Sequence, residues 1–215
     1  MSNKLKIAIE IAEEYHKWQK RKDWTDYINH PLAVMNILKE YNFPEEALIA
    51  AILHDTCEDT KLKNISISDM FWVRIAFVVN ALSKNKKPKN HKELKKDYEE
   101  KQKSRKISNL ENFTNFDEYI DYRFHLYLNR LYTWIIAEPW IFFIKIADQI
   151  HNLSDMNFFP EEKKLRKIKE LEKFFLPIYY KCEEIFKLDD KWYKMYNIFI
   201  SLLLNSINKA KKDII

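Results

Sequence analysis

Glycine is absent from this chain of 215 residues. Ordinary usage of about 7% would supply roughly 15. Without it, tight hairpin turns and phosphate-cradling loops lose the residue they depend on. The Walker loop and the dinucleotide-binding fingerprint are excluded outright. Cysteine is nearly absent too: Cys57 and Cys182 stand alone and form neither a disulfide framework nor a zinc cluster. No apolar run reaches the ~18 residues of a membrane span. The N-terminus, MSNKLKIAIEIAEE, reads as an acidic amphipathic helix and not as a signal peptide. A cytoplasmic protein without a membrane partner is the expectation.

What is present reads as helix. With 47% hydrophobic residues the chain can bury a core, and apolar residues recur at helical spacing almost throughout. The periodicity predicts helices over 3–22, 32–41 and from Glu45 through ALIAAILHDTCED. Ser66 to Asp69 is expected to cap a helix running from Met70 to about Ser83. Two long helices follow on either side of Pro139, and two amphipathic ones around Pro177. The fold class is all-α. Residues 1–160 are expected to form the chemistry-bearing domain, with a basic insertion over 84–115, and 161–215 a helical extension packed on it as scaffold. Within the insertion, residues 84–106 carry 11 Lys+Arg against 4 Asp+Glu, +7 where the whole chain is +5. A solvated loop is its plain reading; a flap over a polyanionic substrate comes second and nucleic-acid binding last.

Chemistry concentrates at His54-Asp55-Thr56-Cys57-Glu58-Asp59. A helix rich in Ala, Ile and Leu should not end in three carboxylates and a histidine unless they are paired or metal-bound. Helical spacing sets Glu58 one turn beyond His54 and Asp59 one turn beyond Asp55. His30 precedes a second apolar run and Asp148 follows the apolar IFFIKIA. Imidazoles with carboxylates suit a divalent ion such as manganese, iron or zinc. Each residue alone is more often structural; the set His30, His54, Asp55 and Asp148 is what an HD-type metal site looks like.

The stretches HKWQKRKDWTDYINHPLAV, AAILHDTCEDT, FWVRIAFVVNALSK and IKIADQIHNL resemble, in order and spacing, the hydrolase domain of the RelA/SpoT family. They are most similar to its small single-domain members. The resemblance spans roughly residues 5–156 and implies an HD-domain helical bundle that removes the 3′-pyrophosphate of guanosine tetra- and pentaphosphate with Mn²⁺. The length leaves no room for the family's synthetase domain, so hydrolysis alone is implied. By resemblance His30, His54, Asp55 and Asp148 are the metal ligands, and Glu58 and Asp59 activate the attacking water. Arg21, Lys22 and Asn152 bind the nucleotide. Tyr27 reads more as core than as pocket, and Lys145 is as readily solvent-facing as phosphate-binding. Rival readings are a phosphatase for another nucleotide such as NADPH, and a catalytically silent nucleotide sensor.

Three departures stand out. Gln149 occupies a position where the family has Arg or Lys, which removes a cation. Asp26 replaces a proline. Trp18, Trp24 and Trp72 all fall where the family pattern has glycine. With no glycine anywhere, this points to a gene that reads UGA as glycine, translated here with UGA as tryptophan. The rival is a lineage of extreme composition.

Overall fold

The computed structural model describes residues 2–83, 95–100 and 115–214. Most of the basic insertion, residues 84–94 and 101–114, therefore lies outside the described residues. Among those described, every regular element is helical, and the single extended pairing is an isolated bridge between Lys20 and Asp26. The all-α expectation holds. Among the described residues no helix is long and apolar enough to cross a membrane.

Helix α1 (Asn3–His16) starts on Ser2, whose hydroxyl accepts from the Leu5 N–H. It ends six residues short of the predicted 22. From Lys17 the chain folds back on itself: Tyr27 N donates to Gln19 O at 3.0 Å, and Arg21 N to Thr25 O at 2.9 Å. The Asp23 carboxylate takes the Thr25 N–H and hydroxyl, a side-chain capture that competes with helix. Helix α2 (Asn29–Glu40) opens with Pro31 in its first turn, so His30 sits at the helix start.

Helix α3 (Glu45–Leu53) carries Glu45 and Glu46 in its first turn, and everything from Ala47 to Leu53 is buried. The predicted continuous helix breaks at His54-Asp55 and resumes as a single turn, α4 (Thr56–Asp59). The Thr56 hydroxyl donates to Leu53 O at 2.7 Å, occupying a carbonyl that continued helix would need. Ser66 to Asp69 do not cap a helix; they lie inside α5 (Asn64–Met70), and α6 (Val73–Leu82) restarts after a break at Phe71.

A short helix, α7, covers residues 95–100. Helix α8 (Phe116–Ala137) is capped by Asn115. After Pro139, α9 (Trp140–Ser154) runs as the central rod, buried without interruption from Trp140 to Gln149. The C-terminal part is more broken than two helices: α10 (Glu161–Glu170), a π-turn over Leu171–Phe175, then α11 (Leu176–Lys181), α12 (Glu183–Phe186) and α13 (Asp190–Lys212). Pro177, lacking an N–H, follows the π-turn in the first turn of α11. An aromatic cluster fixes α12 and α13 to α9. Phe143 meets Phe186, Trp192 and Phe199 at ring-centroid distances of 5.1 to 5.4 Å, and Phe142 meets Phe186 at 4.8 Å. Each buried ring contributes about 1.5–3 kcal/mol, which holds α9 as a rigid base for the residues at its far end.

Of the three tryptophans at glycine-like positions, one bears directly on the recoding idea. Trp24 has φ 66° and is 81% exposed. Trp18 and Trp72 have no positive φ, although Trp18 is 85% exposed. A left-handed backbone costs a residue with a Cβ about 1–2 kcal/mol, and glycine returns part of that gain through a freer unfolded chain. We expect Trp24→Gly to raise stability by roughly 1 kcal/mol in chemical denaturation. UGG codons at positions 18, 24 and 72 in the gene would end the recoding idea, whatever the stability shift.

Candidate metal centre and nucleotide pocket

Four ring or carboxylate atoms converge where the start of α2, the end of α3 and the polar end of α9 meet. His30 Nε2 lies 3.5 Å from Asp55 Oδ2 and 3.2 Å from Asp148 Oδ1. His54 Nε2 lies 3.2 Å from the same Asp55 oxygen and 3.9 Å from the same Asp148 oxygen. His30, His54 and Asp55 each offer an atom within 4.8 Å of the others. The break between α3 and α4 is what allows two consecutive residues, His54 and Asp55, to face one point.

The tautomers indicate what this point accepts. His54 Nδ1 is 2.8 Å from Ala51 O, and a carbonyl only accepts, so Nδ1 carries a hydrogen, and in the neutral ring Nε2 presents a lone pair. That buried Nε2 has no hydrogen-bond partner among the described residues. A lone pair facing two carboxylates in a buried site is unfavourable unless a cation lies between them. The donor set of two imidazoles and two carboxylates suits a divalent ion. His30 is supported from behind by His151, the two Nδ1 atoms being 3.0 Å apart. Burial keeps the His151 imidazole below its ordinary pKa, so it stays neutral and accepts the His30 hydrogen.

The carboxylates are held just as firmly. Lys145 Nζ donates to Asp148 Oδ2 at 2.8 Å, and Asn152 Nδ2 donates to Asp148 Oδ1 at 2.5 Å. Burial alone would raise the Asp148 carboxyl, but the Lys145 ammonium beside it holds it well below the usual range. The Tyr27 hydroxyl lies 2.8 Å from Asp55 Oδ2 and 3.1 Å from Asp59 Oδ2. Burial and these two carboxylates drive its pKa well above the ordinary phenol value, so it remains a donor. Glu58 lies on the same one-turn helix, half-buried, its N–H bonded to Asp55 O.

Burial would lower His30, but its hydrogen bonds to Asp148 and Asp55 raise it to about 9. In the metal-free protein His30 is therefore protonated at neutral pH. Raised above 6.5, it contributes stability fully present below that pH and lost as pH rises through about 9. A divalent ion must displace that proton. We expect Mn²⁺ affinity to rise by about tenfold per pH unit between 6.5 and 9. Calorimetry in two buffers of different ionisation enthalpy should show about one proton released per ion at pH 7.5.

Beside the candidate metal point are two hollows that share Asn152 and Lys167 in their walls. One, of about 210 Å³, is lined by Lys20, Arg21, Lys22, Tyr27, Asn152, Asp155, Phe159 and Lys167 among others. The other, about 100 Å³, includes Lys145, Asp148, Gln149, Asn152, Lys167 and Phe175 in its wall. Arg21 is not loose in the larger hollow: it donates to Asp155 Oδ2 at 2.6 and 3.0 Å and to Asn152 Oδ1 at 3.2 Å. Lys22 is exposed at its rim.

All nine residues singled out in the sequence gather in this region. Several neighbours were missed or misread. Tyr27 is a hydrogen-bonding member of the site and not simply core. Lys145 is 5% exposed and tied to Asp148, so the solvent-facing reading does not apply; it lies in the wall of the smaller hollow. His151 and Asp155 carried no signal beyond their spacing on one helix face after Asp148. Gln149 is buried and accepts from the Tyr179 hydroxyl at 2.9 Å, so a C-terminal helix supports the departure from the family cation. Lys167 brings residues 161–215, expected to be scaffold alone, into both hollow walls.

A family model described as an HD domain matches residues 8–114. Among curated relatives, the chain is 29% identical over 171 residues to a probable GTP pyrophosphokinase of Mycobacterium leprae, covering 80% of this chain and 18% of that one. It is 28% identical over 177 residues to the guanosine-3′,5′-bis(diphosphate) 3′-pyrophosphohydrolase of Aquifex aeolicus, covering 82% and 21%. The match spans about a fifth of the length of these relatives. A solved chain described as a metazoan ortholog of SpoT superposes with a TM-score of 0.58 at 19% identity, covering 94% of this chain and 96% of the other. These matches support an HD-domain protein of the RelA/SpoT family. In this chain both imidazoles and both carboxylates of the expected metal set are within 4 Å of a neighbour in the set.

Proposed function

We propose that this chain is a metal-dependent hydrolase that takes the 3′-pyrophosphate from guanosine tetra- and pentaphosphate, yielding GDP or GTP and pyrophosphate, with Mn²⁺ as its ion. The observation that carries the proposal is the juxtaposition of the His/Asp cluster with a cation-lined hollow. The Aquifex relative's name states this reaction, and the superposed metazoan protein is described as hydrolysing ppGpp. The relatives' names also include pyrophosphokinases; a His/Asp metal set with two carboxylates beside it suits hydrolysis better. His30, His54, Asp55 and Asp148 would hold the ion. When bound, it supplies positive charge for phosphoryl oxygens and acidifies water.

The remaining chemistry belongs to side chains. Glu58 and Asp59, on one turn beside the cluster, take the proton from the water that attacks the 3′ phosphorus. The ribose 3′-oxygen leaves with the electron pair of the broken P–O bond and takes up the proton that the carboxylate received from the water, becoming the 3′-hydroxyl and restoring the base. Arg21, fixed by Asp155 and Asn152, presents its planar fork to base or phosphate. Lys22 and Lys167 balance the remaining phosphate charge at the rim.

Products decide the substrate. With ppGpp, Mn²⁺-loaded protein should release GDP and pyrophosphate, resolved by ion-exchange chromatography. Inertness toward ppGpp with orthophosphate released from NADPH would contradict the proposal. Binding of ppGpp without any product would identify a sensor.

A further inference from the structure

Beside the site lies a buried imidazole that the proposed reaction does not use. His16, the last residue of α1, is 2% exposed and stacks on Tyr27, ring centroids 4.7 Å apart and planes 24° from parallel. Its Nδ1 is 2.7 Å from Gln19 Oε1. The Gln19 amide is oriented by its other end, because Nε2 donates to the Asp59 carbonyl at 2.8 Å. The amide oxygen must then face His16 and can only accept, so His16 Nδ1 carries the hydrogen. Nε2 is left bare and has no hydrogen-bond partner among the described residues. Burial keeps the ring below its ordinary pKa and so neutral.

Asp59 closes the one-turn helix α4, whose last carbonyls have no helical partner to hold them. Gln19 bonds its main chain, and the Tyr27 hydroxyl bonds its carboxylate at 3.1 Å. Both of those residues rest on His16, one by a hydrogen bond and one by a ring face. Trp18 between them is turned to solvent, so His16 and Gln19 alone of this turn face inward.

We propose that His16 is a positioning residue: through Gln19 and Tyr27 it holds Asp59 at both ends, aiming a carboxylate that would otherwise swing on an exposed single turn. This rests on the reading of Asp59 as a proton acceptor. Misplacement by about 1 Å can cost roughly 10²-fold in rate, and the loss falls on the chemical step, not on binding.

The test measures kcat and KM for ppGpp, and Mn²⁺ affinity, in His16→Phe, Gln19→Leu, Gln19→Glu and the His16→Phe/Gln19→Leu double variant. Phe keeps the stacked ring and loses the donor; Glu keeps an acceptor for His16 and loses the donor to Asp59. Each single variant should lower kcat by roughly 10- to 10²-fold with KM and Mn²⁺ affinity unchanged. The double variant should be no worse than the poorer single one, because both cut the same path. Unchanged kcat, a loss confined to KM, or additive losses would overturn the proposal. Should His16→Phe not fold, the half-exposed Gln19 positions still decide it through the kcat–KM split. Histidine ¹⁵N spectra of the wild-type protein give a readout without substrate: His16 protonated on Nδ1 and bare on Nε2, with the Nδ1 signal displaced in Gln19→Leu. The opposite tautomer overturns the brace. If wild-type protein turns over no ppGpp, the functional reading has failed, and the spectra still decide whether the brace exists.

Discussion

Replacing Glu58 with Gln and Asp59 with Asn lowers ppGpp turnover by about 10²–10⁴-fold and leaves Mn²⁺ affinity unchanged. The amides keep shape and hydrogen-bonding reach while losing the capacity to take a proton. Neither residue is among the four whose donor atoms converge, so the ion's binding should survive the change. Asp59 retains its backbone tie to Gln19 and its side-chain contact with Tyr27 in the amide form. A loss of turnover is then a loss of the base. Steady-state kinetics with an independent Mn²⁺ titration separates the two effects. Unchanged turnover would remove Glu58 and Asp59 from the chemistry and with them the proposed proton path.

The second large effect concerns stability. Lys145→Met should destabilise the metal-free protein by about 3–5 kcal/mol, because one partner of a buried ion pair is removed and the other stays behind. For a protein of this size that is a fall in melting temperature on the order of 10 °C. Lys145 and Asp148 are both buried, with 2.8 Å between Nζ and Oδ2. Burial would lower the Lys145 pKa, yet the facing carboxylate holds it well above the ordinary value. Asp148, held low, contributes stability that is present above the ordinary carboxylate range and lost as pH falls into the acid. In the variant Asp148 loses its lysine partner and keeps His30 and the Asn152 amide, so a divalent ion should raise the melting temperature of Lys145→Met more than that of the wild type. Calorimetry with and without Mn²⁺ measures both shifts. An unchanged melting temperature would mean that Asp148 finds other compensation.

The candidate metal set was legible because polar residues that flank apolar helices stand out from the periodicity around them: His30 before one apolar run, His54 and Asp55 after ALIAAIL, Asp148 after IFFIKIA. The resemblance supplied what periodicity did not, Arg21 and the roles assigned to Glu58 and Asp59. What stayed hidden depends on neighbours distant in sequence. Tyr27 reads as an ordinary apolar-face aromatic until the fold sets its hydroxyl between Asp55 and Asp59. Lys145 is the exception: its i,i+3 spacing to Asp148 is local, but nothing in the sequence says that the pair is buried. The break at His54-Asp55 goes with a side-chain capture by Thr56, and the turn over 17–28 holds another by Asp23, both of which helical periodicity overlooks. Lys167 belongs to a helix with no chemical motif, and only packing carries it to the hollow. Trp24 is the reverse case: an indole at φ 66° contradicts local backbone preference, and its glycine-like position was readable beforehand.

The most direct measurement is anomalous scattering at the manganese edge from crystals grown with Mn²⁺. The account predicts one strong peak bounded by His30 Nε2, His54 Nε2, Asp55 Oδ2 and Asp148 Oδ1. Its loss in His54→Ala should accompany loss of turnover. A protein that hydrolyses ppGpp with no peak there, or with its peak elsewhere, would contradict it.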